Sequence, residues 1–254
     1  MCYNRLMRYN WQQSDWPDFR YDADEISDSL LAFMERVGRI SGLLEGLSEA
    51  DRSDAVINIL AAEAMKTSEI EGEYLSRADV MSSIRNNLGL SKTTEPVKDR
   101  RAKGVVDLML AVRDEYASPL SDAMLFDWHQ TLLAHDRRVM LGAWRTHAEP
   151  MQVISGPIGK ETIHFEAPPS DKMGEMMVSF INWFNSTGPD GKMPIQHAPI
   201  RSAIAHLYFE TIHPFEDGNG RIGRAISEKA LSQGLGRPVV LSLSRAIEGN
   251  KKAY

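Results

Sequence analysis

Apolar residues recur every three or four positions along most of the chain, the spacing that places them on one face of an α-helix. This spacing predicts a first helix over residues 25–47 and a second over 54–71, which Gly72 ends. Ser121 stands before a further helix as a capping residue. The other predicted helices span residues 76–88, 96–117, 121–135 and 172–186, and two more, at 199–213 and 222–234, flank a glycine-rich segment.

One part of the chain departs from this helical spacing. Residues 151–165 contain two short β-prone runs around a Gly-Pro-Ile-Gly turn, and two prolines at 168–169 close the segment, so we predict a β-hairpin. The aromatic residues of 11–24 predict an extended segment packed on the rest of the protein. We therefore predict a mostly α fold with one hairpin in one compact unit, divided into an N-terminal segment and helix at 1–48, a helical region at 49–92 and a core at 93–254.

The composition narrows the class of protein. Of 254 residues, 43% are hydrophobic and 25% are charged, as in an ordinary globular protein. The net charge of −6 argues against general nucleic-acid binding, which needs a basic surface. Cys2 is the only cysteine, so neither an internal disulfide nor a cysteine metal cluster can form. The first ten residues lack the apolar core of a signal peptide, and no long apolar window occurs. We therefore expect a cytoplasmic protein without a membrane span.

Residues 213–224, HPFEDGNGRIGR, concentrate charged, amide and glycine residues between two predicted helices. Pro214 disfavours helical structure at the residue before it, so the first helix should end at about His213. Glycines allow the backbone to close on a ligand, and the following helix begins with unpaired N–H groups and a partial positive charge. Asn219, Arg221 and Arg224 add hydrogen-bond donors. The stretch therefore predicts an anion site suited to a polyphosphate.

Three other ligand-loop patterns fit this stretch less well. Gly218, Gly220 and Gly223 have the spacing of a dinucleotide fingerprint, but that fingerprint follows a strand, and here a helix precedes it. A phosphate loop needs a lysine where Arg224 stands. A calcium loop needs a glycine where Ile222 stands.

The same stretch fills every defined position of the pattern His-x-Phe-x-Asp/Glu-Gly-Asn-Gly-Arg-x-x-Arg. The chain therefore resembles the Fic family, of which this pattern is the signature. The resemblance extends through GAWR at 142–145, the hairpin and FINWFNS at 180–186, and it covers most of residues 50–254. It implies a Fic-type helical bundle in which the hairpin is a flap, and it implies transfer of AMP from ATP to a hydroxyl group of a protein.

The resemblance gives roles to the residues of the stretch. His213 would take the proton from an incoming Ser, Thr or Tyr hydroxyl, a task that suits a side chain titrating near neutrality. Asp217 would hold Mg²⁺ between the α- and β-phosphates of ATP. The backbone of 218–220 and the side chain of Asn219 would hold the phosphates, and Glu216 is expected to be solvated. The nucleotide site would also include Gly218, Gly220, Arg221 and Arg224, with Asn250 and Tyr254 lining the nucleoside pocket. The six other histidines are expected to be structural or at the surface.

The predicted hairpin resembles the family's flap, which binds a protein target. An edge strand can pair with the backbone of an extended segment of the target, and such β-augmentation would lay the target's hydroxyl over the nucleotide. Ile154, Ser155 and Gly156 would then lie near the nucleotide. A purely structural hairpin is the alternative, and backbone pairing does not identify the target.

The segment TSEIEG at 67–72 matches the family's inhibitory pattern Ser/Thr-x-x-x-Glu-Gly/Asn through Thr67, Glu71 and Gly72. It stands at the end of a predicted helix, upstream of the complete signature. The resemblance implies that region 49–92 carries an inhibitory helix and that Glu71 pairs with Arg224, in the place of the γ-phosphate. A plain helix end with an exposed glutamate is the alternative.

The sequence leaves several functions open. The leading hypothesis is an autoinhibited enzyme that transfers AMP to a protein target, which could include the enzyme itself. Removal of AMP, with Glu71 positioning a water, and an ATP-sensing interaction module without catalysis are the alternatives. Gly218 and Arg224 argue against a branch of the family that transfers phosphate, while a branch that uses another nucleotide-linked donor stays open. A homodimer and a chain that continues beyond Tyr254 also stay open.

Overall fold

The computed structural model describes residues 9–155, 157, 160 and 162–250, and this part of the chain is mostly helical, as predicted. None of its helices combines the length and apolar character that a bilayer span requires. The helices are α1 (Ser27–Glu45), α2 (Glu49–Ile70), α3 (Arg77–Asn87), α4 (Arg100–Asp114), α5 (Asp122–Leu133), α6 (Met173–Ser186), α7 (Ala198–Ile212), α8 (Asn219–Leu235) and α9 (Leu243–Gly249). Strands β1 (Gln152–Ser155) and β2 (Thr162–Glu166) lie between α5 and α6.

Capping side chains set the first residues of several helices. Ser121 caps α5, as predicted, by accepting a hydrogen bond from a backbone N–H. α2 begins earlier than the apolar spacing predicts, because Ser48 accepts a hydrogen bond from the N–H of Asp51. α4 begins later than predicted, because Asp99 caps it and residues before this cap are not helical. Apolar spacing therefore located the helices, and polar caps decided where they begin.

The core is centred on α7 and α8, which contact each other more extensively than any other pair of described helices. Their contact contains fully buried side chains such as Phe209 of α7 and Ile226 of α8. α4 lies against α2, α3, α5 and α8. One cluster of buried apolar residues includes both Ile57 of α2 and Ala230 of α8. Residues of the predicted regions 49–92 and 93–254 therefore contribute to the same buried cluster.

The predicted hairpin is present as a two-stranded antiparallel sheet. Gln152 pairs with Glu166 and Ser155 with Thr162, and the register shifts by one residue after Val153. Such a bulge bends a hairpin and increases its twist. The predicted pairing of the two strands is therefore confirmed. The short sheet lies between α5 and α6 in the chain.

The N-terminal aromatic segment packs on the body, as predicted, but it is not extended throughout, because Asn10–Gln12 form a short 3-10 helix and a turn follows. The ring of Trp16 meets that of Tyr208 edge-on at 5.0 Å, and the ring of Phe19 lies 5.2 Å from the same tyrosine. The indole Nε1 of Trp11 donates to the backbone carbonyl of Glu166 at 2.7 Å. The segment therefore ties the base of the hairpin to α7, the helix that leads into the glycine-rich stretch.

Candidate active site

The loop between α7 and α8 is formed by two left-handed backbone positions. His213 ends α7 with φ 52° and ψ 60°, and Gly218 precedes α8 with φ 79°. His213 is the only non-glycine residue with a positive φ in the described part of the chain. The helix stops there because Pro214 disfavours a helical residue before it, as predicted. Left-handed residues that are not glycine carry backbone strain and occur often at functional sites.

The loop is braced from inside by Asn219 and Phe215. Phe215 is fully buried, its N–H donates to Oδ1 of Asn219 at 2.9 Å, and its carbonyl accepts from Nδ2 at 2.8 Å. Asn219 is itself only 2% exposed. We expected this side chain to hold phosphate, and that expectation is corrected here, because both ends of the amide are bound to the loop backbone. The backbone N–H of Asn219 lies in the first turn of α8, where N–H groups have no acceptor within the helix.

A second brace comes from His129, which the sequence placed only as a structural or surface residue. Its ring stacks on Phe215, with 4.1 Å between the centroids and 10° between the planes. Nδ1 accepts a hydrogen bond from the N–H of Gly142 at 3.0 Å, so Nε2 carries the proton and donates to the carbonyl of Asp217 at 3.2 Å. Burial lowers the pKa of His129, which favours this neutral form.

Asp217 is the most exposed carboxylate of the loop. About half of its side chain, 53%, is exposed, and Oδ1 accepts from the N–H of Gly218 at 2.6 Å. The described residues contain no group of three or more acidic, histidine or cysteine side chains suited to a metal. One exposed carboxylate beside a helix N-terminus nevertheless fits Mg²⁺, which usually takes one or two carboxylates together with substrate phosphates and water.

Glu216 differs from the expectation that it is solvated. Its side chain is half-buried, and Oε2 accepts a hydrogen bond from the N–H of Met140 at 3.0 Å. This bond links the loop to the segment after α5 and turns the carboxylate to that segment. Asp217 is therefore the more exposed acid of the loop, and its Oδ2 lies 3.9 Å from Nη2 of Arg221.

His213 stands at the end of α7 with about a quarter of its side chain exposed, 23%. Its backbone carbonyl accepts from Nε of Arg145 at 2.8 Å, and the N–H of Arg145 donates to the carbonyl of Pro214 at the same distance. Arg145 is 1% exposed. Burial is the main cause that lowers the pKa of His213, so the ring is neutral at pH 7 and can accept a proton.

Arg224 is held by Thr67 and Glu71 at the end of α2, and the sequence predicted the contact with Glu71. Its Nη2 donates to Oε1 of Glu71 at 2.8 Å and to the carbonyl of Thr67 at 2.9 Å, while Nε donates to Oγ1 of Thr67 at 2.8 Å. Arg224 is 3% exposed. Glu71 is the C-terminal cap of α2, and Gly72 follows with φ 78°, which ends the helix. The predicted pairing of Glu71 with Arg224 is confirmed as a contact, and its inhibitory effect stays a prediction.

Arg221 is also held by a carboxylate of this segment, one that the sequence did not single out. Its Nη1 donates to Oε2 of Glu73 at 2.8 Å, and only 3% of the Arg221 side chain is exposed. Glu73 reaches this position because its N–H donates to the carbonyl of Ser68, which turns the chain back after α2. Both arginines of the loop are therefore bound to acidic residues at the end of α2.

The remaining predicted site residues are only partly within the described structure. Ser155 ends β1, and its Oγ lies 2.6 Å from Nε2 of His164 on the paired strand. Ile154 lies beside it in β1, and Asn250 caps the C-terminus of α9. Gly156 and Tyr254 lie outside the described residues. The predicted roles of the hairpin in target binding and of Asn250 in nucleoside binding stay predictions.

Two regions of the chain match models of known protein families. The model of the Fic/DOC family matches residues 119–231, and that of a domain of unknown function, DUF4172, matches residues 9–90. Over 183 residues the chain is 27% identical to protein adenylyltransferase fic-1 of Caenorhabditis briggsae, which covers 72% of this chain and 34% of that protein. Over 117 residues it is 29% identical to protein adenylyltransferase Fic of Drosophila mojavensis, which covers 46% of this chain and 20% of that protein. The chain thus spans about a third or less of these relatives.

Solved structures show the same fold at low identity. A Fic family protein from Desulfovibrio desulfuricans G20 superposes with a TM-score of 0.64 at 21% identity, covering 94% of this chain and 66% of that chain. A Fic domain containing signaling protein from Bacteroides thetaiotaomicron superposes with a TM-score of 0.62 at 18% identity, covering 86% and 78%. Fold and site together define a helical protein with a histidine and a glycine-rich loop between two core helices. Residues 119–231 of this chain match the Fic/DOC family, and this segment contains both core helices and the loop between them.

Proposed function

We propose that this protein transfers AMP from ATP to a Ser, Thr or Tyr hydroxyl of a protein target and releases pyrophosphate. The observation that carries the proposal is the position of His213, a neutral and partly exposed base at the mouth of a loop that leads into a helix N-terminus. The names of the relatives in C. briggsae and D. mojavensis, both protein adenylyltransferases, agree with it.

The proposed reaction is a displacement at the α-phosphorus of ATP. Nε2 of His213 takes the proton of the target hydroxyl, and the oxygen forms a bond to the α-phosphorus. The bond between the α-phosphorus and the oxygen that bridges to the β-phosphate breaks, and pyrophosphate leaves. A positioned base of this kind contributes roughly 10²–10⁴ in rate.

The phosphates of ATP would lie against the first turn of α8. The N–H groups of Asn219, Gly220 and Arg221 have no acceptor within that helix, and they carry the positive end of its dipole. Asp217 would hold Mg²⁺, which when bound neutralises charge on the α- and β-phosphates. Arg224 would orient the γ-phosphate once it is released from Glu71.

The contact between Glu71 and Arg224 is the proposed inhibitory device. Because Oε1 of Glu71 binds the guanidinium, that guanidinium is unavailable to a γ-phosphate. A carboxylate at this place also repels the negative charge of the phosphate. ATP would therefore bind without the orientation that in-line attack needs, and the rate of transfer would be low.

The hairpin is the proposed binding surface for the protein target. β1 is paired on one side by β2, and no other strand of the described residues joins this sheet. An extended segment of a target can therefore add to the free edge by backbone hydrogen bonds. Such binding places few demands on the side chains of the target.

Removal of AMP from a modified protein is the second candidate function. It is favoured by the partial exposure of Glu71, whose side chain is 34% exposed beside the helix N-terminus. A carboxylate in this place can orient a water for attack on a phosphodiester. The fold and the loop would be the same for both reactions, so the direction of AMP movement must be measured.

The experiment that tests the proposal uses two labels. The Glu71→Gly variant is incubated with Mg²⁺ and ATP that is labelled at the α- or at the γ-phosphate, and labelled protein is detected on a gel. Label from the α-phosphate alone supports AMP transfer. Label from the γ-phosphate alone means phosphate transfer and overturns the proposal. Binding of ATP without any label, in this variant and with added cell extract as target, favours the non-catalytic module.

A further inference from the structure

Glu210 places a second carboxylate directly behind the proposed base. It lies one helical turn before His213 in α7, and its Oε2 is 3.7 Å from Nδ1 of that histidine. Its Oε1 is buried and has no hydrogen-bond partner among the residues that the structure describes. A Cβ atom at Gly223 would lie 2.2 Å from this Oε1, so the glycine leaves the space that the carboxylate occupies.

Both the helix dipole and burial disfavour a carboxylate at the position of Glu210. A carboxylate in the last turn of a helix meets the negative end of the helix dipole, which is unfavourable. A buried carboxylate oxygen without a hydrogen bond is destabilising as well. Such unsatisfied groups are few in folded proteins, and a catalytic role is one of their explanations. Glu210 combines both features within reach of His213.

We propose that Glu210 is a positioning residue for His213, whose carboxylate faces Nδ1 of the ring and stabilises the imidazolium that forms when Nε2 takes the proton. This inference rests on the proposed AMP transfer. The proton passes from the target hydroxyl to Nε2, the positive charge of the ring is balanced by Glu210, and the proton leaves to solvent after pyrophosphate has departed. Glu210 itself touches neither ATP nor the target.

The surroundings of this pair both oppose and support a charged ring. Burial is the main cause that lowers the pKa of His213, and the guanidinium of Arg145 lowers it further. A hydrogen bond of the ring to the backbone of Glu210 raises the pKa, and the carboxylate of the same residue, 3.7 Å from Nδ1, adds a negative charge on that side. Burial also raises the pKa of Glu210 to about 7, against the opposing effect of Arg224. The pKa of Glu210 is therefore raised and that of His213 is lowered, and the 3.7 Å between Oε2 and Nδ1 is short enough for the charge of one group to affect the other. The other charged or titratable groups that face the pair are Glu71, His206 and Asp217.

The sign of the pH effect follows from these shifts. The carboxylate form of Glu210 becomes populated as the pH rises through about 7, and His213 is already neutral there because its pKa is lowered. On the acidic limb of the pH–rate profile, the rate of AMP transfer should therefore rise with pH up to about 7. With a glutamine in place of Glu210, only His213 titrates, and the limb should move to lower pH while the maximal rate falls.

The test compares Glu210→Gln and Glu210→Asp, both made in the Glu71→Gly background. Self-labelling with α-labelled ATP and Mg²⁺ is measured from acidic to basic pH. We expect the glutamine variant to lose roughly ten- to a hundredfold in maximal rate, with an unchanged KM for ATP, and to shift its acidic limb by about one pH unit. The aspartate variant should lose rate but keep a limb near that of the parent, because it keeps an ionisable carboxylate.

The matched control is Glu228→Gln in the same background. Glu228 lies on α8, and burial raises its pKa to about 8, but its charged neighbours are Glu63 and Arg113 and not the histidine. Its rate and its acidic limb should equal those of the parent. If Glu210→Gln and Glu210→Asp lose rate equally and neither moves the limb, Glu210 is merely structural and the inference is overturned.

An NMR titration of the His213 ring tests the pairing without any reaction. In the parent, the ring should report two steps, one of them near pH 7 from Glu210, and the glutamine variant should show a single step at lower pH. Identical titration curves overturn the inference. If no variant labels protein but the curves differ as expected, AMP transfer fails while the pairing stands. If the parent and the Glu210→Gln variant label protein at equal rates and give equal titration curves, the role of Glu210 is wrong while AMP transfer stands.

Discussion

Nη2 of Arg224 lies 2.8 Å from Oε1 of Glu71, although 153 positions separate the two residues in the sequence. Thr67 binds the same guanidinium through both its hydroxyl and its carbonyl, so one turn of α2 encloses an arginine of the anion loop. Arg224 is almost fully buried, which strengthens a charge-assisted bond relative to a surface ion pair. The end of α2 is therefore built into the candidate active site.

The first prediction concerns Glu71→Gly. Removing the carboxylate frees Arg224 for the γ-phosphate, and we expect AMP transfer to rise by about ten- to a hundredfold, which corresponds to roughly 1.4–2.7 kcal/mol. The rate of labelling from α-labelled ATP measures it. The double variant Glu71→Gly, Arg224→Ala should lose this gain, because the arginine is needed to orient the released nucleotide.

The control for this prediction is Glu69→Gly. It introduces the same flexible residue into the last turn of α2, but its carboxylate pairs with Lys66 and not with the loop. If this variant is activated as much as Glu71→Gly, loosening of α2 explains the gain, and the contact with Arg224 does not.

The second prediction concerns His213, in the Glu71→Gly background. His213→Asn should abolish AMP transfer while leaving the affinity for ATP almost unchanged, because the ring acts on the incoming hydroxyl. Asparagine is chosen because it tolerates the left-handed backbone of this position better than most residues. Calorimetric titration with ATP measures the affinity. A large loss of ATP binding would make His213 a structural residue.

The third prediction separates the two acids of the loop. Asp217→Ala should lose most of the activity, and excess Mg²⁺ should restore it poorly, since Asp217 is the exposed carboxylate beside the first turn of α8. Glu216→Gln should retain activity, because an amide oxygen can still accept the N–H of Met140. Labelling over a range of Mg²⁺ concentrations distinguishes them. The reverse ranking of the two variants would move the metal to Glu216.

The fourth prediction concerns stability and pH at Glu228. Burial and the proximity of Glu63 raise its pKa to about 8 in the folded protein, against an ordinary value of 4.5. The unfolded chain therefore releases this proton at lower pH than the folded protein does, and the group destabilises the fold increasingly as pH rises from about 4.5 to 8. Glu228→Gln should raise the melting temperature at pH 7 by several degrees and give no gain at pH 4.5. An equal gain at both pH values would show that the carboxyl is not buried as described.

Much of the fold followed from the spacing of apolar residues, and much of the site from one motif. The pairing of Glu71 with Arg224 was foreseen because the resemblance supplied a partner for each residue. The pairing of Glu73 with Arg221 was not, because nothing in the sequence marks which acids turn back onto a loop 148 positions away. A contact between two polar residues that are distant in the sequence produces no periodic pattern from which it could be predicted.

The misplaced expectation for Asn219 has a local cause. A side chain with hydrogen-bond donors beside glycines indicates a ligand contact. An asparagine at the start of a helix can equally form hydrogen bonds with the backbone of the preceding loop. Here it bonds Phe215 four residues earlier. Glu210 was missed for another reason, because a lone acid in a helical pattern gives no sign of the face on which it is buried.

Gly220 has a consequence for how this protein can change. A Cβ atom there would stand 2.2 Å from Oε1 of Glu71 and 3.1 Å from Nη1 of Arg224. The absence of a side chain at residue 220 leaves the space that the Glu71 carboxylate occupies. Under the proposed function, a phosphate of ATP lies against the same stretch of backbone. We therefore expect a substitution at Gly220 to disturb both the contact with Arg224 and the binding of ATP, whereas a substitution at the end of α2 should change the contact alone.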